Sequence, residues 1–156
     1  MSEIVEAVTA QQIEQVRNLF REYRAELPLP LCFGEFDEEL RHLPGSYGRP
    51  GGKLLLATVA GQPVGCVGLC PFPVAHTCEM KRLFVRPTFR GASLGCCLVD
   101  RILQAGRTLG YLHLRLDSHP PTMAAAVDLY RKLGFQDIPA DPLATVPGLL
   151  YMQIKL

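Results

Sequence analysis

The sequence lacks both a strong net charge and a long apolar run. Its 156 residues include 16 basic and 15 acidic side chains, which leaves a formal charge of +1. Nothing in this balance favours binding to nucleic acid or to an anionic membrane. No apolar run approaches the ~18 residues that suggest a membrane span. Residues 1–6 are acidic and lack the basic-then-apolar order of a signal peptide, so a cytoplasmic location is expected.

Metal-binding cysteine pairs are missing as well. No Cys-x-x-Cys pair is present, although such a pair is the usual start of a zinc site. Because most of the cysteines lie in apolar segments, they are predicted to be small buried side chains in a reducing compartment, and no metal is expected. The six are Cys32, Cys66, Cys70, Cys78, Cys96 and Cys97.

Two common phosphate-binding motifs are also absent. The chain has no Gly-Lys-Ser/Thr as in a P-loop, and no Gly-x-Gly-x-x-Gly as in a Rossmann turn. What it has is 48% apolar residues, which is enough for a real core. The length suits one domain over residues 1–156, with little room for a second.

Apolar periodicity predicts the element order β-α-α-β-β-β-α-β-α-β-β. Thr9 is predicted to cap the first helix, which Pro28 and Pro30 end. Strands are predicted at 4–8, 53–59, 64–69, 78–85, 111–116, 135–138 and 149–154. The later helices are predicted at 35–42, 94–109 and 122–133, and a proline-rich loop at 139–148. This order implies an α/β (α+β) fold, a mixed sheet of about seven strands flanked by four helices.

The most informative segment joins a predicted strand to the long third helix. Residues 83–95 read Leu-Phe-Val-Arg-Pro-Thr-Phe-Arg-Gly-Ala-Ser-Leu-Gly, and the small residues leave room for a ligand to approach the backbone. The helix that follows offers free N–H groups and the positive end of its dipole, while Arg86 and Arg90 add positive charge. These features indicate an anion site, most simply for a diphosphate. Alternatively, the small residues only let the helix pack closely on its strand.

Two motifs at the right separation resemble the GNAT superfamily of N-acetyltransferases. Residues 90–95, after Leu-Phe-Val-Arg-Pro, look like its acyl-CoA-binding motif Arg/Gln-x-x-Gly-x-Gly/Ala. Residues 126–135 are similar to its Ala-x-x-Leu-Tyr-x-x-x-Gly-Phe motif, and residues 151–156 to its last strand. Ser93 stands where the family usually has glycine, and Met123 where many members have asparagine. Ser93 could cap the helix or touch a phosphate instead.

The resemblance implies that acetyl-CoA is the cosubstrate and fills a cleft in the sheet. The strand 79–85 would splay from the strand 111–116, and backbone groups of Leu83 and Val85 would pair with the pantetheine arm. The implied cofactor-binding residues are Leu83, Phe84, Val85, Arg90, Gly91, Ala92, Ser93, Leu94 and Gly95.

Acetyl transfer to an amine needs a proton acceptor and a proton donor, and the resemblance suggests the donor. Tyr130 of the Leu-Tyr motif is the candidate acid for the leaving thiolate, with an ordinary core tyrosine as the alternative. Glu79 is the candidate base, directly or through water, and an ideal strand places it on the face of Leu83 and Val85. Alternatively, Glu79 is a surface carboxylate paired with a neighbouring basic residue. Weaker candidates for the base are His76, His119 and Asp117.

The function predicted from these motifs is direct acetyl transfer, in a ternary complex, to an amine of a small molecule or peptide. The alternatives are an acyl-CoA sensor of the same fold without turnover, and a phosphate-binding domain unrelated to CoA. Side chains suited to a small cationic or amphipathic amine are Glu22, Tyr23, Glu26, Phe33, Phe36, Phe72 and His76. Whether the chain acts alone or as a homodimer stays open.

Overall fold

The computed structural model describes residues 1–27, 33–140 and 148–156, apart from the side chains of residues 33 and 34. Across these residues, seven strands form one sheet with α-helices on both faces. The strands are β1 (Ser2–Glu6), β2 (Lys53–Val59), β3 (Gln62–Pro71), β4 (Thr77–Val85), β5 (His113–Ser118), β6 (Gln136–Ile138) and β7 (Leu150–Lys155). The α-helices are α1 (Ala10–Glu26), α2 (Phe33–Arg41), α3 (Leu94–Thr108) and α4 (Pro120–Lys132).

The strands follow the order β1-β2-β3-β4-β5-β7-β6, and this confirms the predicted mixed sheet. Five of the six neighbouring pairs are antiparallel, namely β1–β2, β2–β3, β3–β4, β5–β7 and β7–β6. That central pair, β4 with β5, is parallel, and α3 makes the crossover between its two strands. The sheet is therefore antiparallel on either side of a single parallel junction.

The predicted start of α1 is confirmed. Thr9 Oγ1 accepts a hydrogen bond from the Gln12 N–H at 3.1 Å, and the Gln12 side chain accepts one from the Thr9 N–H at 3.1 Å. Gln12 also accepts from the N–H of Val8 at 3.0 Å. These bonds take Val8 out of the sheet, so β1 ends at Glu6 and the predicted strand 4–8 is shifted by two residues.

The predicted strand 111–116 is shifted by two residues in the opposite direction, to 113–118, because its first two residues bond elsewhere. The Tyr111 N–H donates to the Gly106 carbonyl at the end of α3, and the Leu112 N–H donates to His76. In α4, which begins at Pro120 rather than 122, Met123 has non-helical angles and marks a kink. Pro28, Pro30, Cys32 and most of the predicted loop 139–148 lie outside the described residues.

Each face of the sheet carries its own apolar core. The α3-side core includes Leu94, Leu98 and Ile102 of α3 packed on alternate residues of the central strands. The α1-side core includes Val16 and Phe20 of α1 with Phe36 of α2. Of the cysteines, three are buried as predicted, Cys66, Cys70 and Cys78, whereas Cys97 is exposed. None of the described helices combines the length and apolarity that crossing a membrane requires.

Candidate functional site

The candidate site is a cleft that opens where β4 and β5 separate. The two strands pair at three positions, from Thr77 with His113 to Glu79 with Arg115, and they diverge beyond that point. The splay that the family resemblance implied is therefore present. The cleft has a volume of about 580 Å³, within the ~300–1,000 Å³ usual for small-molecule and cofactor sites.

A β-bulge interrupts β4 beside the cleft. One residue of β3, Val67, lies opposite two residues of β4, Arg82 and Leu83, in an otherwise antiparallel ladder. Arg82 has a backbone φ of 63°, in the left-handed region that residues with a side chain rarely adopt. The extra residue reverses the alternation of side chains for the second half of the strand.

The expectation that Glu79 shares a face with Leu83 and Val85 is wrong. Glu79 lies opposite Cys70, which belongs to the α1-side core, whereas Leu83 and Val85 pack against the α3-side core. The bulge at Arg82 is the physical reason, since an inserted residue moves every later side chain to the other face. Glu79 therefore belongs to the face that α1 and α2 cover.

An ion pair with α2 holds the bulge in place. Arg82 donates to both carboxylate oxygens of Glu39, from Nε at 2.9 Å and from Nη2 at 3.0 Å. Its guanidinium also lies 4.7 Å from the ring centroid of Phe36 and 5.9 Å from that of Tyr23. Burial raises the pKa of Glu39, but the hydrogen bond and charge of Arg82 outweigh it, so this pKa lies below its usual value.

The first turn of α3 presents backbone N–H groups to the cleft. The Cys97 N–H donates to the Ser93 carbonyl at 3.0 Å. The N–H groups of Leu94, Gly95 and Cys96 precede this bond and have no acceptor within the helix. These three residues line the cleft. Because the helix dipole adds positive potential at the same place, the turn suits an anion.

The backbone at Ser93 explains why glycine is usual at this position of the motif. Ser93 has a φ of 64°, which glycine adopts without steric cost. The alternative that its hydroxyl caps α3 is wrong, because in the described part of the chain it makes no capping hydrogen bond. Gly91 has a φ of 85°, and a Cβ there would meet no atom within 4 Å. Conformation, not crowding, therefore favours glycine at position 91.

Both arginines of the turn are engaged by carboxylates of α1. Arg86 donates to the two carboxylate oxygens of Glu22 at 2.9 and 2.7 Å and does not line the cleft. Arg90 lines the cleft, donates to Glu26 at 2.9 Å, and donates from Nε to the Val85 carbonyl at 2.7 Å. The predicted positive charge is thus partly neutralised, and of the two arginines Arg90 is the one placed to meet a ligand.

Tyr130 reaches the cleft from α4. Its ring is buried and packs against Phe135, with ring centroids 5.6 Å apart. Its hydroxyl has no hydrogen-bond partner among the residues that the structure describes, and it is not enclosed. Burial raises the pKa of Tyr130, and the neighbouring Tyr23 and Asp117 raise it further. The phenol therefore keeps its proton at neutral pH and can donate it into the cleft.

The carboxylates near the cleft differ in exposure. Asp117 is exposed and lines the cleft at the end of β5, whereas Glu79 is half-buried and does not line it. Burial raises the pKa of Glu79, and the positive charge of Lys81 opposes that change. His119, which is buried, and His76, which is exposed, lie outside the cleft lining formed by the described residues.

Most residues predicted to bind the cofactor meet at the cleft. The ones that line it are Leu83, Phe84, Val85, Arg90, Gly91, Ser93, Leu94 and Gly95. Ala92 is exposed in the turn and does not line it. Among the predicted acceptor residues, Tyr23 and Glu26 line the cleft, whereas Phe36 is buried beneath Arg82. The side chain of Phe33 lies outside the description.

Two residues that shape the site carry no signal in the sequence. Arg82 forms the bulge, and Glu39 holds it from α2, yet the two lie 43 positions apart. A glycine at a left-handed position would have been a sequence signal, but arginine gives none.

Comparisons with known proteins agree with this geometry. The family model described as the acetyltransferase (GNAT) family matches residues 13–135. The chain is 37% identical over 147 residues to an uncharacterised N-acetyltransferase of Schizosaccharomyces pombe. This match covers 94% of the chain and 90% of that protein. The chain is also 35% identical over 109 residues to an IAA acetyltransferase of Azospirillum brasilense, covering 69% and 71%.

Solved structures show the same fold at low sequence identity. A GNAT-family acetyltransferase from Staphylococcus aureus superposes with a TM-score of 0.81 at 17% identity, covering 99% of both chains. The Paia N-acetyltransferase from Thermoplasma acidophilum, solved in complex with coenzyme A, superposes with a TM-score of 0.78 at 18% identity. It covers 100% of this chain and 99% of that one.

Proposed function

The chain belongs to the GNAT family of acetyltransferases, and we propose that it transfers an acetyl group from acetyl-CoA directly to an amine in a ternary complex. One observation carries the proposal. The first turn of α3 and the Tyr130 hydroxyl open into the same cleft between the separated strands β4 and β5. The first feature suits a diphosphate, and the second suits a leaving thiolate.

The cleft residues match the parts of acetyl-CoA. The N–H groups of Leu94, Gly95 and Cys96 would hold the diphosphate, with Arg90 beside them. Beyond Glu79, β4 has no strand neighbour on its cleft side among the described residues. This free edge would pair with the amide groups of the pantetheine arm, as a further strand would. The thioester would then lie towards the junction of β4 and β5.

The amine acceptor would reach the thioester from the opposite face of the sheet. The α3 side of the cleft is taken by the diphosphate site and by α4. On the α1 side, Glu79 and Asp117 lie near the junction, together with Tyr23 of α1. An acceptor held there can meet the acetyl carbonyl without displacing the cosubstrate. This arrangement favours direct transfer without a covalent acetyl-enzyme.

The reaction requires the amine to lose a proton and the thiolate of coenzyme A to gain one. The neutral amine attacks the acetyl carbonyl carbon, the C–S bond breaks, and the products are an N-acetyl amine and coenzyme A. Glu79, acting through water, would accept the proton of the amine, since its raised pKa suits a general base. Tyr130 would donate its proton to the thiolate and regain one from solvent. Asp117 is the alternative proton acceptor.

Release of free thiol from acetyl-CoA across a panel of amines tests the proposal. We expect thiol release that depends on both acetyl-CoA and an amine, with one N-acetyl product formed per thiol. Acetyl-CoA alone should raise the melting temperature, because a ligand at ~100 times its dissociation constant adds ~2.7 kcal/mol to native stability. A thermal shift without transfer to any amine would instead favour an acyl-CoA sensor. Absence of any shift at millimolar acetyl-CoA would overturn both interpretations.

A further inference from the structure

Arg115 carries a positive charge that forms no salt bridge with a carboxylate in the described part of the chain, although Glu79 lies near enough to feel that charge. Its guanidinium lies 4.1 Å from the ring centroid of Phe72 and 5.4 Å from that of Tyr151. Nε is buried and has no hydrogen-bond partner among the residues that the structure describes. The two terminal nitrogens are not enclosed and form no hydrogen bond with described residues. The guanidinium is therefore held by aromatic rings while its donor edge stays open.

A half-buried cation without a counter-ion lowers the stability of the fold unless an anion pairs with it. The two rings restrain the plane of the guanidinium, so little freedom is lost when an anion binds to its edge. A carboxylate is the matching anion, since it accepts two parallel hydrogen bonds from the planar fork. Arg115 therefore has the features of a carboxylate receptor.

The neighbour of Arg115 has the opposite charge. Glu79 of β4 pairs in register with Arg115 of β5 at the last position before the strands separate. Adjacent strands lie ~4.8 Å apart, yet the two side chains form no ion pair with each other, and Glu79 makes none with other described residues. A cation and an anion thus stand side by side without a salt bridge between them.

We infer that the acceptor is a zwitterionic amino acid or another short amino-carboxylate. Its carboxylate binds Arg115, and its amino group lies beside Glu79 at the junction of β4 and β5. The spacing of the two strands matches a ligand whose amino and carboxylate groups are separated by a few bonds. This inference rests on the proposed acetyl transfer and narrows its acceptor class.

The first test compares acceptors that differ in one group and needs no variant. Thiol release is measured for amino acids and for the amines that lack only the carboxylate, such as phenylalanine with phenethylamine and β-alanine with ethylamine. We expect kcat/KM to be at least about tenfold higher for the carboxylate-bearing member of the preferred pair. Equal values throughout the panel would overturn the inference.

The second test removes the guanidinium. Arg115→Gln should raise KM for the preferred amino acid by about tenfold or more, and its loss of kcat/KM should be several-fold larger for that amino acid than for the matching amine. Arg107→Gln, an exposed arginine at the end of α3, is the matched control and should alter neither value. An equal loss for both acceptors in Arg115→Gln would contradict a carboxylate receptor.

These outcomes separate the inference from the proposed function. If amines are acetylated without regard to a carboxylate, acetyl transfer stands and the amino-carboxylate inference fails. If no amine is acetylated at all, the proposed function fails first. The melting temperature of Arg115→Gln with saturating acetyl-CoA checks the fold, because Arg115 lies outside the cosubstrate cleft and the shift should match that of the unchanged protein.

Discussion

The carboxylate of Glu39 and the guanidinium of Arg82 meet at two points, 2.9 and 3.0 Å apart, and this pair joins α2 to the bulge of β4. Both side chains are largely buried, with 18% and 13% of their surface exposed. The bulge in turn places Leu83 and Val85 on the wall of the cleft. This pair therefore determines the shape of the proposed cosubstrate site, whose cleft Arg82 itself lines.

Removing the charge of Glu39 should destabilise the fold. Glu39→Gln leaves the Arg82 guanidinium buried without its partner, and such changes cost about 3–5 kcal/mol. Urea unfolding at pH 7 measures the loss. The matched control is Glu38→Gln on the same helix, whose partner Arg41 is exposed. That control should change stability by less than about 1 kcal/mol, and equal effects of the two changes would contradict the role of the Glu39–Arg82 pair.

The Glu39 pair should also give the fold a defined sensitivity to acid. Since the pKa of Glu39 is lowered in the folded protein, its stabilising contribution is present above the unfolded value near 4.5. It is lost as the pH falls through the folded pKa. The free energy of unfolding should be measured from pH 7 to pH 3 for the unchanged protein and for Glu39→Gln. The difference between the two proteins should shrink as the pH falls. A constant difference across this range would contradict the assignment.

If Arg90 binds the cosubstrate as proposed, Glu26 competes for its guanidinium. Glu26→Gln should weaken the contact with the Arg90 guanidinium and remove a negative charge from the cleft, so acetyl-CoA should bind more tightly. Because the pair is about half exposed, we expect a gain of no more than about 1 kcal/mol in binding free energy, measured by titration calorimetry. Glu22→Gln, which frees Arg86 outside the cleft, is the control and should have a smaller effect. Weaker binding in Glu26→Gln would show that Glu26 orients Arg90 for the cosubstrate.

Ser93→Gly should stabilise the protein through the backbone. A left-handed residue with a side chain costs roughly 1–2 kcal/mol, and the greater freedom of glycine in the unfolded chain offsets part of this gain. We expect a net gain of about 0.5–1 kcal/mol in urea unfolding. Ser93→Ala keeps the strained φ of 64° but lacks the hydroxyl, so it should give no gain. If both variants bind acetyl-CoA more weakly by about 0.5–1.5 kcal/mol, the hydroxyl contacts a phosphate.

The motifs of the sequence predicted most of the residues that line the cleft because the motifs consist of local signals. The role of glycine at 91 and the strand-to-helix junction near 93 can be predicted from the sequence, since backbone conformation and the helix dipole depend on neighbouring residues. The face of Glu79 was not readable, because it depends on the bulge at Arg82, which a contact 43 positions away stabilises. The charge of Arg86 was readable, but its engagement by Glu22 was not, because α1 and β4 meet only in the folded chain.

Glu79 should set the acid limb of the activity profile and also affect stability. Burial raises the pKa of Glu79, so the folded protein favours the neutral carboxyl. The protein therefore loses stability as the pH rises from about 4.5, the unfolded pKa, through the pKa of Glu79 in the folded state. Glu79→Gln should therefore be more stable than the unchanged protein at pH 8, with the difference vanishing near pH 4. Its kcat should fall by about 10²–10⁴. Asp117→Asn is the matched comparison, and a larger kcat loss there would identify Asp117 as the base.

Tyr130→Phe tests the proposed acid, because it removes one oxygen and keeps the buried ring. Since the hydroxyl has no hydrogen-bond partner among the described residues, the free energy of unfolding of the variant should lie within about 1 kcal/mol of that of the unchanged protein. Acetyl-CoA binding should be nearly unchanged, whereas kcat should fall by about 10²–10⁴ with little change in KM.

The burial of Tyr130 also determines how the enzyme activity should depend on pH. Its raised pKa keeps the phenol protonated through the neutral and mildly alkaline range, so the phenol should not lower activity between pH 7 and pH 9. Phe135→Leu alters the ring that packs on Tyr130 without removing the hydroxyl, and it should affect stability more than kcat. If Tyr130→Phe retains full turnover with normal folding and binding, Tyr130 is a packing residue and water protonates the thiolate.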